Sequence, residues 1–272
     1  MATTAEVRDL LSTTSLPEDL VDGLLAQASA AWLLGESAPT LAADLALCHP
    51  VLGPEEVRAV VQPTTLPGTW RLCVVAHDRP GLLAGIAGAV AIHGLTITSV
   101  SASLWADRGM ALMAVTANHP EGIELGRTEW DGIGEQLQAA LGRREHLSVD
   151  FRPASPVTIE CTPQDAGRAL VTVEAPDRVG LLWAVASWFE NRGANIEAVS
   201  TAETDDGRVR DSYLVVGEID STALATHLGG GPALPVDVPA ALLRMGVRVA
   251  IAGAGIAAGL TLRALRAGRA RS

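Results

Sequence analysis

The chain has 272 residues, 48% hydrophobic and 19% charged, a composition of globular rather than disordered protein. Its formal net charge of −11 repels a phosphate backbone and argues against a nucleic-acid partner. All 20 basic residues are arginine, which excludes a Schiff-base lysine and the lysine of a P-loop. The three cysteines, Cys48, Cys73 and Cys161, are too far apart to suggest a disulfide framework or a zinc site.

Residues 1–9 carry Glu6 and Asp9 and no apolar stretch, so no signal peptide is expected and the protein reads as cytoplasmic. Residues 4–62 read as short helices. Ser15-Leu16-Pro17-Glu18 has capping-box spacing, Leu20, Leu24, Ala28 and Ala31 follow at helical intervals, and Pro54-Glu55-Glu56 suits the start of a third helix. Pro63–Gly68 reads as a linker. A strand is expected over residues 70–76, a helix over 82–93 capped by Gly94, and strands over 95–104 and 110–116. A helix over 129–143 and a fourth strand over 146–151 complete a β-α-β-β-α-β order, the ferredoxin-like motif.

The pattern then repeats. His77-Asp78-Arg79-Pro80-Gly81-Leu82-Leu83 and Pro176-Asp177-Arg178-Val179-Gly180-Leu181-Leu182 lie 99 positions apart, and the apolar positions on both sides keep that offset. In the second copy a strand at 168–176, a helix at 181–192 and a hairpin through Asp206-Gly207 are expected. A short helix at 220–228 follows, and the offset puts a last strand at 247–251. The fold class is therefore α+β: two ferredoxin-like βαββαβ modules with an N-terminal helical segment and a C-terminal helix. The expected segments are 1–66 (helical), 67–152 (first module), 153–167 (linker), 168–252 (second module) and 253–272 (basic helix).

This order, with Asp-Arg-x-Gly-Leu-Leu between first strand and helix, resembles the ACT domain family. The helix-ending glycines of His93-Gly94-Leu95-Thr96-Ile97 and Arg192-Gly193-Ala194-Asn195-Ile196 fit the same pattern. The tandem pair also resembles the C-terminal sensor region of bacterial protein-PII uridylyltransferases, without a nucleotidyltransferase signature. The resemblance implies reversible binding of a small amino acid, glutamine by analogy, at the strand–helix loops and the interface between modules. It extends the site to Thr96 and Asn195.

The residues support such a site on their own terms. The first amides of a helix lack internal partners and face the positive end of its dipole, so Gly81, Leu82, Gly180 and Leu181 could hold a carboxylate. Asp78 and Asp177 could accept from an ammonium. Arg79 and Arg178 complete the candidate set. A plainer reading makes the two aspartates N-caps, the glycines turn residues and the arginines solvated. Pro80 stiffens the first loop where Val179 stands in the second, and Asn195 offers more hydrogen-bonding groups than Thr96, which favours the second loop.

No catalytic constellation, metal site or cofactor is expected. His77-Asp78 lacks further ligands at metal spacing. The Gly-x-Gly at Gly253 and Gly255 lacks the second strand and distant acid that a dinucleotide site needs. The uncharged run from Val249 to Leu262 is 14 residues, short of the ~20 of a membrane span, although Arg263, Arg266, Arg269 and Arg271 follow it. The reading is a regulatory amino-acid-binding protein, not an enzyme, acting as a homo-oligomer or with a regulatory or catalytic partner. The alternatives are a ligand-independent assembly module, or a uridylyltransferase relative working with a separate catalytic chain.

Overall fold

The computed structural model describes residues 2–204 and 207–229. Four helices open the chain: α1 (Thr4–Leu11), α2 (Glu18–Gln27), α3 (Ala30–Gly35) and α4 (Ala38–Ala46). The first ferredoxin-like unit follows as β1 (Val57–Pro63), β2 (Trp70–His77), α5 (Leu82–Ala91), β3 (Thr96–Trp105), β4 (Met110–Asn118) and α6 (Arg127–Gly142). The second is β5 (Thr158–Pro163), β6 (Arg168–Pro176), α7 (Leu181–Glu190), β7 (Asn195–Glu203), β8 (Arg208–Val216) and α8 (Ser221–Gly229). Each unit has one antiparallel sheet of four strands, in the orders β1-β2-β4-β3 and β5-β6-β8-β7.

The α+β class and the doubled ferredoxin-like architecture agree with the sequence reading; the source of one strand in each sheet does not. The edge beside β2 is filled by β1, antiparallel from Val57↔Ala76 to Pro63↔Trp70. Residues 57–63 are thus strand rather than helix: their valines bury Val57 and Val61 on one face. Glu55 and Glu56 suggested a helix start, but Glu56 instead accepts from the Gly53 amide at 2.8 Å and closes a turn. With the edge taken, residues 146–151 form no strand and cross the surface as irregular chain. In the second unit β5 pairs with β6 inside what reads as a linker. The strand and helix expected over 247–251 and 253–272 lie outside the described residues. The Ser15 capping box is also not formed: Pro17 is the N-cap of α2, without a side-chain bond, and the box forms instead at Thr3 and Glu6.

The two central strands show what covers each sheet. β6 alternates, with Ala169, Val171, Val173 and Ala175 buried and Arg168, Leu170, Thr172 and Glu174 half-buried, as in a sheet with one wet face. Glu174 there bridges Arg208 and Arg210 at 3.1 and 2.6 Å. β2 is buried on both faces from Trp70 to Ala76. Leu72 and Val74 face α5 and α6, while Cys73 and Val75 join a second core with Val7, Leu24, Trp32, Leu41 and Leu45 of the N-terminal helices. Arg71 penetrates that second core. It bonds Asp44 through both terminal nitrogens, at 2.9 and 2.5 Å, and Glu36 at 2.6 Å, and Asp44 also accepts from Trp32 Nε1 at 3.0 Å.

The two units meet through α5 and α7 and through the edge strands β3 and β7, which lie side by side. Every α5 residue except Gly85 is buried, and its glycines let its neighbours come close. A Cβ at Gly88 would stand 2.9 Å from the Trp183 ring and 3.2 Å from Leu147 Cβ.

Asp44→Ala leaves Arg71 buried without its main partner and should cost about 3–5 kcal/mol of unfolding free energy in urea titration. Gly88→Val overpacks the α5–α7 contact and should cost about 1–3 kcal/mol. Gly132→Ala, in α6 with open space around it, should instead stabilise by about 0.5–1 kcal/mol. Equal effects of the two glycine substitutions would contradict the packing described.

Candidate functional site

The two strand-to-helix loops are built alike. β2 ends at His77, and the Asp78 amide donates to Gly109 O at 2.9 Å. Gly81 (φ 81°) and Gly180 (φ 82°) are the N-caps of α5 and α7, in the left-handed region that disfavours a side chain. Neither helix has a side-chain cap, so Asp78 and Asp177 are not N-caps. The Leu82 and Leu181 amides turn back to the Arg79 and Arg178 carbonyls, at 3.3 and 3.2 Å.

Nor are the arginines solvated. Arg79 donates to Leu141 O at 2.6 Å, and Arg178 donates to Leu228 O at 3.0 Å and Pro176 O at 2.9 Å. Each guanidinium thus binds a carbonyl in the last turn of its unit's second helix, where the dipole favours a cation. Arg178 also stacks over the Phe151 ring, 4.9 Å from its centroid. Both arginines hold the loops in place; burial lowers the pKa of each.

Each loop faces the other unit across a narrow cleft. The first cleft gathers Asp78, Arg79, Gly81 and Leu82 with Asn195 and Ile196 at the start of β7. The second gathers Asp177, Arg178, Gly180 and Leu181 with Leu95 and Ile97 beside β3. Thr96 does not line it: that side chain is buried at the end of β3, its hydroxyl without a hydrogen-bond partner. The strands facing the loops carry a register shift at the same place, between Ile97 and Ser99 and between Ile196 and Ala198. Each cleft has a cavity of about 20 Å³, room for about one water.

The clefts differ in what lies at their floor. In β4 the residue opposite Ala102 is Met113, which lines the first cleft; in β8 the residue opposite Thr201 is Asp211, which lines the second. Asp211 is 3% exposed. Its Oδ2 accepts from the Tyr213 hydroxyl at 3.1 Å and its Oδ1 has no hydrogen-bond partner. Burial pushes its pKa up to about 6, against the Thr201 and Tyr213 hydroxyls and with help from the nearby charge of Asp177. Sequence reasoning missed this residue. The signal was its place on the inward face of a strand whose other inward residues, Val209, Tyr213 and Val215, are apolar or aromatic.

Glu190, at the end of α7, was also missed. Its carboxylate lies against Gly81, where a Cβ would stand 2.5 Å from Glu190 Cδ. The corresponding last residue of α5 is Ala91, whose Cβ stands 3.8 Å from the equivalent point at Gly180. Val149 and Phe151, from the segment expected to be a strand, close the rest of that side, at 3.0 and 3.7 Å. Among the described residues no group of three or more His, Cys, Asp and Glu is placed to hold a metal ion. Among them also, no helix is long and apolar enough to cross a membrane.

Residues 169–228, from β6 to α8, match the ACT domain. No curated protein matches the chain. Solved structures with partial similarity include an aspartate kinase from Synechocystis, at 18% identity and TM-score 0.38. That match covers 59% of this chain and 26% of the kinase chain, so it spans about a quarter of the kinase. A putative glycine cleavage system transcriptional repressor matches at 14% identity and TM-score 0.21, over 57% of this chain and 85% of that one.

The buried carboxyl of Asp211 gives a pH signature. Its folded pKa, about 6, lies above the ordinary 3.8, so the folded state holds the proton more tightly and ionisation works against folding. That penalty is absent below pH 4, grows between pH 4 and 6, and is complete above. Asp211→Asn should therefore stabilise the protein at pH 7.5 by up to about 3 kcal/mol, from two pKa units, and by almost nothing at pH 4. Thermal melts of both proteins across pH 4–8 give the comparison, and a pH-independent difference would contradict the burial argument.

Proposed function

We propose that the chain is a regulatory protein that binds a small amino acid where the loops of one unit meet the edge strand of the other. The ACT domain match over the second unit supports a ligand-binding regulatory role. The observation that carries the reading is Asp211: a buried carboxyl oxygen with no protein partner, in the same cleft as Asp177 and the N-terminus of α7. A zwitterion complements both ends of such a cleft. Its ammonium would meet Asp211 and Asp177, and its carboxylate would lie toward Gly180 and the helix dipole. The cleft is narrower than an amino acid, so binding requires the units, or the Val149–Phe151 strap, to move. A ligand that selects the wider form shifts the pairing of the two units and of any chain bound to them. Glutamine is the first candidate, by analogy with uridylyltransferase sensors. The partner would be a second copy of the chain or a separate regulatory or catalytic protein in the cytoplasm.

The narrowness of both clefts also favours a second reading, assembly without a ligand. Among the described residues β5 is the outer edge of its sheet and is largely exposed, which leaves backbone groups to pair with another chain.

A thermal-shift screen against the twenty amino acids separates the two. The sensor reading expects one or two amino acids, at about 100 times their dissociation constant, to raise the melting midpoint by several degrees. Asp211→Asn should abolish that rise while keeping the protein folded. A flat screen on folded wild-type protein rejects the sensor and leaves the assembly module.

A further inference from the structure

The repeat builds two equivalent clefts, yet the residues at two matched positions have diverged in a complementary way. At the last residue of the first helix, the unit that covers the first cleft has Glu190 and the unit that covers the second has Ala91. At the cleft floor the first has Met113 and the second has Asp211. The first cleft thus receives a carboxylate from the protein itself and offers a thioether where an ammonium would sit. The second receives a methyl group and offers an unpartnered carboxyl oxygen, with the side chain 97% out of solvent.

We propose that Glu190 is a built-in carboxylate ligand of the first site, closing it, and that only the second site is open to a free amino acid. The chain then takes one ligand, not two, and takes it at Gly180 and Asp211. The proposal rests on the sensor reading for the second site, whereas the role of Glu190 in the first stands on geometry alone. The Glu190 carboxylate lies on Gly81 at the N-terminus of α5, where orphan amides and the helix dipole favour an anion. It also separates the first cleft from a wider hollow of about 260 Å³ lined by Arg79, Gly81, Arg144, His146 and Trp183. Removing the side chain would therefore leave a carboxylate-sized space with a path to solvent.

Formate, the smallest carboxylate, tests this by chemical rescue. Melting midpoints of wild type, Glu190→Ala and Glu190→Gln are measured in sodium formate and in sodium chloride at matched ionic strength. The expected result is a midpoint for Glu190→Ala that formate raises by about 3 °C over chloride. Wild type and Glu190→Gln, in which a side chain still fills the space, should move by less than about 1 °C. Equal shifts in all three proteins, or none in Glu190→Ala, would overturn the proposal. Rescue together with a flat amino-acid screen would remove the one-ligand clause and the sensor reading, and leave Glu190 as a purely structural anion. A positive screen without rescue would overturn the role of Glu190 alone.

Discussion

The arrangement depends on how closely α5 can approach α7. Each cleft is half one unit's loop and half the other unit's strand, so neither exists in an isolated unit. The approach is possible because α5 carries glycine at 88, where a larger side chain would meet Trp183 of α7; Gly85 does the same for Leu141 of α6. Each of the two glycines in α5 lowers its intrinsic helix stability by about 1 kcal/mol relative to alanine. The helix is held by burial between its own sheet, α6 and the partner helix.

Duplication makes the pair symmetric in backbone and leaves the side chains free to diverge. The loop glycines keep a positive φ in both copies, the paired strands keep their register shift, and both loop arginines bind the end of a following helix. These features serve the fold. The positions that differ, Glu190 against Ala91 and Asp211 against Met113, change the charge and the filling of each cleft. A buried aspartate with one unpartnered oxygen costs folding free energy; its other oxygen is the acceptor for the buried Tyr213 hydroxyl.

Among the described residues, the first unit has an anchor that the second does not. The N-terminal helices cover the outer face of the first sheet, and the buried ion pair of Arg71 with Asp44 and Glu36 sets where they sit. Buried pairs contribute little net stability but penalise misplacement heavily. The matching face of the second sheet carries a polar ladder of Glu174, Arg208 and Arg210.

Much of this was legible in the sequence. The 99-residue repeat, the alternation of β6 and the apolar face of each first helix determined an α+β chain of two similar units. The turn glycines located the loops that face the clefts. These signals are local, carried by periodicities of two or 3.6 residues and by backbone conformations that glycine alone adopts readily. What the sequence could not determine was which chain segment fills an open sheet edge. The sequence pattern assigned the edge beside β2 to residues 146–151 and made residues up to 62 helical, and only the assembled sheet shows that the upstream segment takes the edge. Once it does, the downstream segment is free to cross the second cleft. The partners of the cleft were equally hidden. Asp211 is 31 positions from Gly180 and reaches it through the pairing of β8 with β6 inside the second unit, whereas Glu190 meets Gly81 only because the two units pack together.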